Sequence, residues 1–132
     1  MAQQLREGKN CLPNLWRMTL QKLAPRDLMI LLRYFDVNGL SDREANLIAV
    51  VDIEDDAQLA RLMREWLRPN YLEWTEGGRE EMLQVLKASE QWSTEDLERV
   101  FSKIQLPSGQ QVKDVDRFVR AMRTELVDSR NE

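Results

Sequence analysis

The chain has 132 residues, of which 42% are hydrophobic and 32% are charged, and its formal net charge is −4. This length and balance fit one soluble globular domain and exclude a wholly disordered chain. A net acidic chain is poorly suited to neutralise phosphates, so we expect neither nucleic acid nor a membrane surface as its partner.

The two ends and the single cysteine indicate the compartment. The first ten residues contain no apolar signal-peptide core, and the densest apolar run, residues 28–35, is too short to span a bilayer. Cys11 stands alone and cannot form an internal disulfide. These features agree with a reducing compartment, and we expect a cytoplasmic protein.

Glycine (5) and proline (4) are scarce, and no run alternates cleanly between apolar and polar residues. The pattern predicts an all-α fold, a single-domain bundle of six to seven short amphipathic helices. We expect this domain to cover residues 12–127, with flexible polar tails at 1–11 and 128–132.

The first predicted helix begins at Pro13 and places five apolar residues on one face: Leu12, Leu15, Trp16, Leu20 and Leu23. A second helix is predicted from Pro25, because Ala24 before a proline is biased out of the α region. This second helix is apolar nearly all round over 28–35, which is typical of the most buried helix of a bundle. Gly39, with Asn38 as the other candidate, is predicted to end it in a left-handed conformation.

The third and fourth predicted helices both begin at side-chain caps. Ser41 and Glu44 form an S-x-x-E capping box for a third helix that runs to about Val51. Asp55 is predicted to cap the fourth helix, which Pro69 is predicted to end. Its inward residues are Leu59, Leu62, Met63 and Trp66.

After Pro69 the pattern is harder to interpret. The pair Gly77-Gly78 favours a loop over 69–78, although the aromatic residues in it indicate that the loop packs on the bundle. A fifth helix is predicted at about 79–89. Two further helices are predicted to begin at the capping pairs Ser93 with Asp96 and Ser108 with Gln111.

The stretch "YFDVNGLSDRE", residues 34–44, resembles the start of a calcium loop. When the loop begins at Asp36, its positions 5, 6 and 12 fall on Leu40, Ser41 and Leu47, where calcium loops need an oxygen ligand, a glycine and a glutamate. The stretch therefore predicts a helix corner, and we expect no metal site.

Catalytic chemistry finds little support. The chain has no histidine, Cys11 has no histidine partner, and the glycine pair at 77–78 lacks the lysine and hydroxyl residue of a phosphate loop. We expect no catalytic residue and no cofactor. A pair of carboxylates that folding brings together stays open, because sequence does not reveal spatial pairs.

Charge and aromatic placement give the candidate binding residues. A basic stripe at positions i, i+3 and i+7 follows the fourth helix: Arg61, Arg64 and Arg68. Acidic residues group around the second-to-third helix corner and before the fourth helix: Asp36, Asp42, Glu44, Asp55 and Asp56. They form either an ordinary solvated surface with acids at helix N-termini or a two-signed binding surface. Trp74 is a further candidate contact, since tryptophan is enriched at interface hot spots.

Three segments together resemble caspase-recruitment domains of the death-fold superfamily. These are "LQKLAPRDLMILLRYFDVNGLSDREANLI", "LARLMREWL" and "MLQVLKASEQWSTEDLERVF". The resemblance implies homotypic assembly of a basic surface, Arg17, Arg61, Arg64 and Arg68, on an acidic one, Asp27, Asp36, Asp42 and Glu44. The chain departs from the family in its longer 69–78 connection and in a helix after Leu106.

The sequence therefore predicts a non-enzymatic adaptor or regulator that binds a protein partner, homotypic or otherwise, through complementary charged helix faces. Two alternatives stay open. One is a small acidic inhibitor, of the immunity or antitoxin type, that neutralises a partner through Asp55, Asp56 and nearby acids. The other is a small helical enzyme with a carboxylate site. The sequence does not predict an oligomeric state.

Overall fold

The computed structural model describes residues 23–128, which form six helices and no strand. The all-α prediction is confirmed. Four predictions lie outside the described residues: the first helix up to Lys22, the candidate Arg17, and the tails at 1–11 and 129–132. Within 23–128 no helix combines the length and apolar character that crossing a bilayer requires.

Helix α1 packs one face into the core, but it is not buried all round as predicted, since Ile30 is 51% exposed. It runs through a 3₁₀ turn at Pro25–Leu28, an α-helical turn at Met29–Leu32 and a second 3₁₀ turn at Arg33–Phe35. Ala24 before it is extended, with φ −128° and ψ 156°, because the proline ring excludes the α region there. Four of its side chains are fully buried: Leu28, Leu31, Leu32 and Phe35.

The chain leaves α1 at Asp36, and the predicted left-handed Gly39 is wrong. Asp36 is extended, with φ −88° and ψ 123°, and its carboxylate accepts the Asn38 N–H at 3.3 Å. This caps a 3₁₀ turn at Val37–Gly39. Among the described residues Gly109 is the glycine with a positive φ, of 80°, so α1 ends without a left-handed glycine and the Asp36 carboxylate caps the turn that follows it.

Helix α2 spans Asp42–Ala49 and begins at the predicted capping box. The Ser41 hydroxyl accepts the Glu44 N–H at 3.2 Å, and the Glu44 carboxylate accepts the Ser41 N–H at 2.9 Å. Two backbone N–H groups that have no partner within the helix are thereby hydrogen-bonded. The helix stops at Ala49, two residues before the predicted end.

Helix α3 continues through Pro69, which was predicted to end it. It has an α-helical part at Asp56–Leu62, a π turn at Met63–Leu67 and a second α-helical part at Arg68–Leu72. In the π turn the Arg68 N–H reaches back to the Met63 carbonyl. Because this turn is wider than an α turn, a proline that has no N–H fits the helix just after it. The Asn70 side chain then donates to the Trp66 carbonyl at 2.7 Å.

Helix α4 spans Glu76–Ala88, so the predicted loop over 69–78 is reduced to three residues. The Thr75 hydroxyl accepts the Gly78 N–H at 3.0 Å and caps the helix. Gly77 and Gly78 therefore lie in the first helical turn, where the cap offsets part of the conformational freedom that glycine loses.

Helices α5, Thr94–Phe101, and α6, Val115–Leu126, complete the bundle. The predicted cap of α5 is confirmed, because the Ser93 hydroxyl accepts the Asp96 N–H at 3.1 Å. The predicted capping box at Ser108 is wrong. Its hydroxyl closes a turn with the Gln110 N–H at 3.2 Å around the left-handed Gly109, and the cap of α6 is Asp114.

Helix α6 belongs to the core. It buries Val115, Phe118, Val119, Met122 and Leu126. The Phe118 ring packs edge-to-face between Phe35 at 5.3 Å and Phe101 at 5.4 Å, measured between ring centroids. One aromatic side chain thus joins the first, fifth and sixth helices of the described bundle.

Candidate interaction surface

A groove separates α2 from α3, and its lining is mainly apolar. It has a volume of about 220 Å³ and lies between Leu47 and Val51 on one side and Leu62 and Trp66 on the other. We call it the α2–α3 groove. Two residues of opposite charge on α3, Arg61 and Glu65, also line it.

Helix α2 exposes apolar side chains beside this groove. Ile48 is its one buried residue, whereas Leu47 is 60% exposed and Val50, directly after the helix, is 82% exposed. Positions three apart lie on the same helix face, so Leu47 and Val50 form a continuous apolar strip. Leu47 lines the groove and Val50 does not, so Leu47 is the candidate contact residue of the groove.

Sequence reasoning missed this strip, because Leu47 was predicted to point inward together with Ile48 and Val51, and Val50 was not considered. A signal was present. The run Leu47, Ile48, Val50 and Val51 places apolar residues at neighbouring positions of a short helix. Residues next to each other point about 100° apart, so one buried face cannot take them all.

Trp66 divides the α2–α3 groove from a second hollow. Its indole N–H donates to the Tyr34 carbonyl at 2.7 Å, which fixes the ring between α1 and α3. The hollow beyond it has a volume of about 430 Å³ and includes Asp36 and Glu44 in its lining. The structure therefore brings two of the predicted acidic residues to one place, next to the groove.

Both of these acids also have local roles. The Asp36 carboxylate accepts the Gln105 N–H at 3.3 Å as well as that of Asn38, and so ties the loop before α6 to the end of α1. Glu44 completes the capping box of α2. The third member of the predicted acidic group, Asp42, lies exposed in the first turn of α2.

The predicted basic stripe divides into two parts. Arg61 and Arg64 are exposed on the first half of α3. Arg68 instead pairs with Glu125 of α6 at 3.1 Å, in a separate hollow of about 250 Å³. The cause is the π turn between them, since a turn of more than 3.6 residues moves position i+7 off the face of position i.

The two predicted acidic residues at the start of α3 make contacts within the bundle. Asp55 caps the helix through the Ala57 N–H at 2.9 Å. Asp56 pairs with Arg117 of α6 at 2.6 Å, and the same guanidinium donates to the Ile53 carbonyl at 2.7 Å. The sequence places Arg117 on a basic stripe of the last helix but does not predict its pairing with Asp56, because the two residues are 61 positions apart.

Trp74 packs on the bundle, as the aromatic residues of 69–78 indicated. Its indole N–H donates to the Tyr34 hydroxyl at 2.9 Å, and its ring packs on Tyr34 and on Tyr71. The Trp74 carbonyl accepts from Arg79 at 2.5 Å. The half-buried ring joins α1 to the connection between α3 and α4.

Within residues 23–128 no group of three or more cysteine or carboxylate side chains is placed to hold a metal ion. A comparison with protein-family models, with curated proteins and with solved structures found no match to the chain. The likeness to caspase-recruitment domains stays a prediction.

Proposed function

We propose that the chain is a non-enzymatic interaction module that binds a partner protein through the α2–α3 groove and its charged edge. The observation that carries the proposal is the exposed side chain of Leu47, which lines the groove together with Arg61 and Glu65. An adaptor or regulator needs such a surface and needs no catalytic group.

The arrangement resembles the anatomy of a protein interface. Interfaces combine an apolar centre with a polar, charged rim, and the charges set the approach and orientation of the partner. The exposed Arg61 and Arg64 supply positive charge at one edge. Asp36 and Glu44 supply negative charge beyond Trp66. A partner that covers the groove would meet both.

The acidic-inhibitor alternative receives less support. It used Asp55 and Asp56, and these side chains cap α3 and pair with Arg117. Their charge remains at the surface, since the Asp56 side chain is 92% exposed. Both side chains nevertheless make contacts within the bundle, so the groove is the better candidate for the partner-binding surface.

The test is quantitative capture with the full-length chain. The chain is tagged and used to capture proteins from the cells that express it, alone and as the double variant Arg61→Glu/Arg64→Glu. We expect the captured partner to fall about tenfold or more, because reversing rim charges converts attraction into repulsion.

The matched control is Arg120→Glu, an exposed arginine in the middle of α6. This variant makes the same chemical change away from the groove and should capture the partner as the unchanged chain does. If both variants capture the same proteins in the same amounts, the groove edge is not the binding surface.

A further inference from the structure

The surface around the α2–α3 groove has both a protruding side chain and a recess that could receive one. It has a projection, the exposed side chain of Leu47, at the edge of a recess of about 220 Å³ that the same residue lines. A recess of this volume has room for an aliphatic side chain, since one water molecule occupies about 30 Å³. A surface with a projection and a recess can fit a copy of itself.

The charges at the groove edge are self-complementary as well. Arg61 and Glu65 are four positions apart on α3 and line the same groove. When two α3 helices pass each other in opposite directions about a twofold axis, Arg61 of each faces Glu65 of the other. Among residues 23–128 neither side chain has an ion-pair partner.

From these two observations we propose that the occupant of the α2–α3 groove is a second copy of this chain, related by a twofold axis. The inference rests on the proposed function and specifies its partner. The contact uses one patch on both copies, so it closes as a dimer. The pairing of a basic surface with a separate acidic one, which the family resemblance implied, would instead form rings or open filaments.

The experiment is sedimentation velocity of the full-length chain from about 1 µM to about 1 mM, a range that brackets weak self-association. We expect a monomer–dimer equilibrium without larger species. Arg61→Glu alone and Glu65→Arg alone should each raise the dissociation constant about tenfold or more, because two symmetric pairs become repulsive. A one-to-one mixture of these two variants should restore a dimer, since each then offers the charge that the other needs.

Restoration in the mixture is the decisive result, because damage to folding cannot produce it. Leu47→Asp should abolish the dimer while far-UV circular dichroism of the monomer stays unchanged, since the side chain is 60% exposed. Arg120→Glu should leave the dimer unchanged.

Three outcomes overturn the inference: a chain that stays monomeric throughout, assemblies that grow beyond the dimer, or two single variants that fail to pair. If the chain stays monomeric while Arg61→Glu/Arg64→Glu still loses a captured protein, the second-copy inference fails and the proposed function stands. If neither dimer nor capture responds to the groove edge, both fail.

Discussion

Helices α2 and α6 begin in the same way and end in different roles. Each has a polar side chain that caps its first turn, Ser41 for α2 and Asp114 for α6. Yet α6 buries five side chains, whereas α2 buries only Ile48 and leaves Leu47 mostly exposed. Local capping signals therefore specify where a helix starts, and burial decides whether it holds the fold together or presents a surface.

The largest test of this contrast is Phe118→Ala in α6. The ring is fully buried between Phe35 and Phe101, and its removal leaves a cavity that should lower the free energy of unfolding by about 3–5 kcal/mol. Urea denaturation followed by circular dichroism measures the change. Arg120→Ala, on the exposed side of the same helix, should change it by less than about 0.5 kcal/mol. Equal effects would show that α6 is not core.

A smaller effect should come from removing the two caps. Ser41→Ala and Asp114→Ala should each lower the free energy of unfolding by about 1 kcal/mol. Hydrogen exchange should separate them. In α2, which has a single buried residue, the loss of protection should spread along the whole helix. In α6, which has five, it should stay within the first turn. Similar spreading in both helices would contradict the contrast.

The smallest effect is expected for Val50→Asn. Val50 is 82% exposed, so at about 1 µM, where the chain is expected to be monomeric, the free energy of unfolding should change by less than about 0.5 kcal/mol. Thermal unfolding measures this. A loss of several kcal/mol would mean that the strip on α2 is covered by the chain itself.

The sequence predicted most of the local features of the fold, but not the start of α6, where the Ser108 hydroxyl closes a turn and Asp114 is the cap. The capping box of α2, the extended Ala24 before Pro25 and the caps of α3 and α5 were confirmed, because each rests on residues at most four positions apart. The predictions at Pro69, a helix end, and at Gly77-Gly78, a loop, were wrong. Single-residue propensities disfavour helix there, and a π turn and a Thr75 cap outweigh those propensities.

The candidate surface was predicted less well. The sequence placed Arg61, Asp36 and Glu44 on the binding surface, and the structure brings them around the groove and the hollow beside it. It did not predict that Arg68 pairs with Glu125, because that contact joins residues 57 positions apart. Nor did it predict the exposed Leu47, since hydrophobicity alone does not reveal which apolar positions a short helix leaves uncovered.

The π turn at Met63–Leu67 also bears on how the chain tolerates changes in length. Such a turn equals an α-helix with one residue inserted, and one residue corresponds to a rotation of about 100° and a rise of about 1.5 Å. Deleting a single residue there would turn Arg68 and Tyr71 away from their present contacts on α4 and α6. A related chain that lacks this extra residue is therefore expected to carry different residues at the positions of Arg68 and Tyr71.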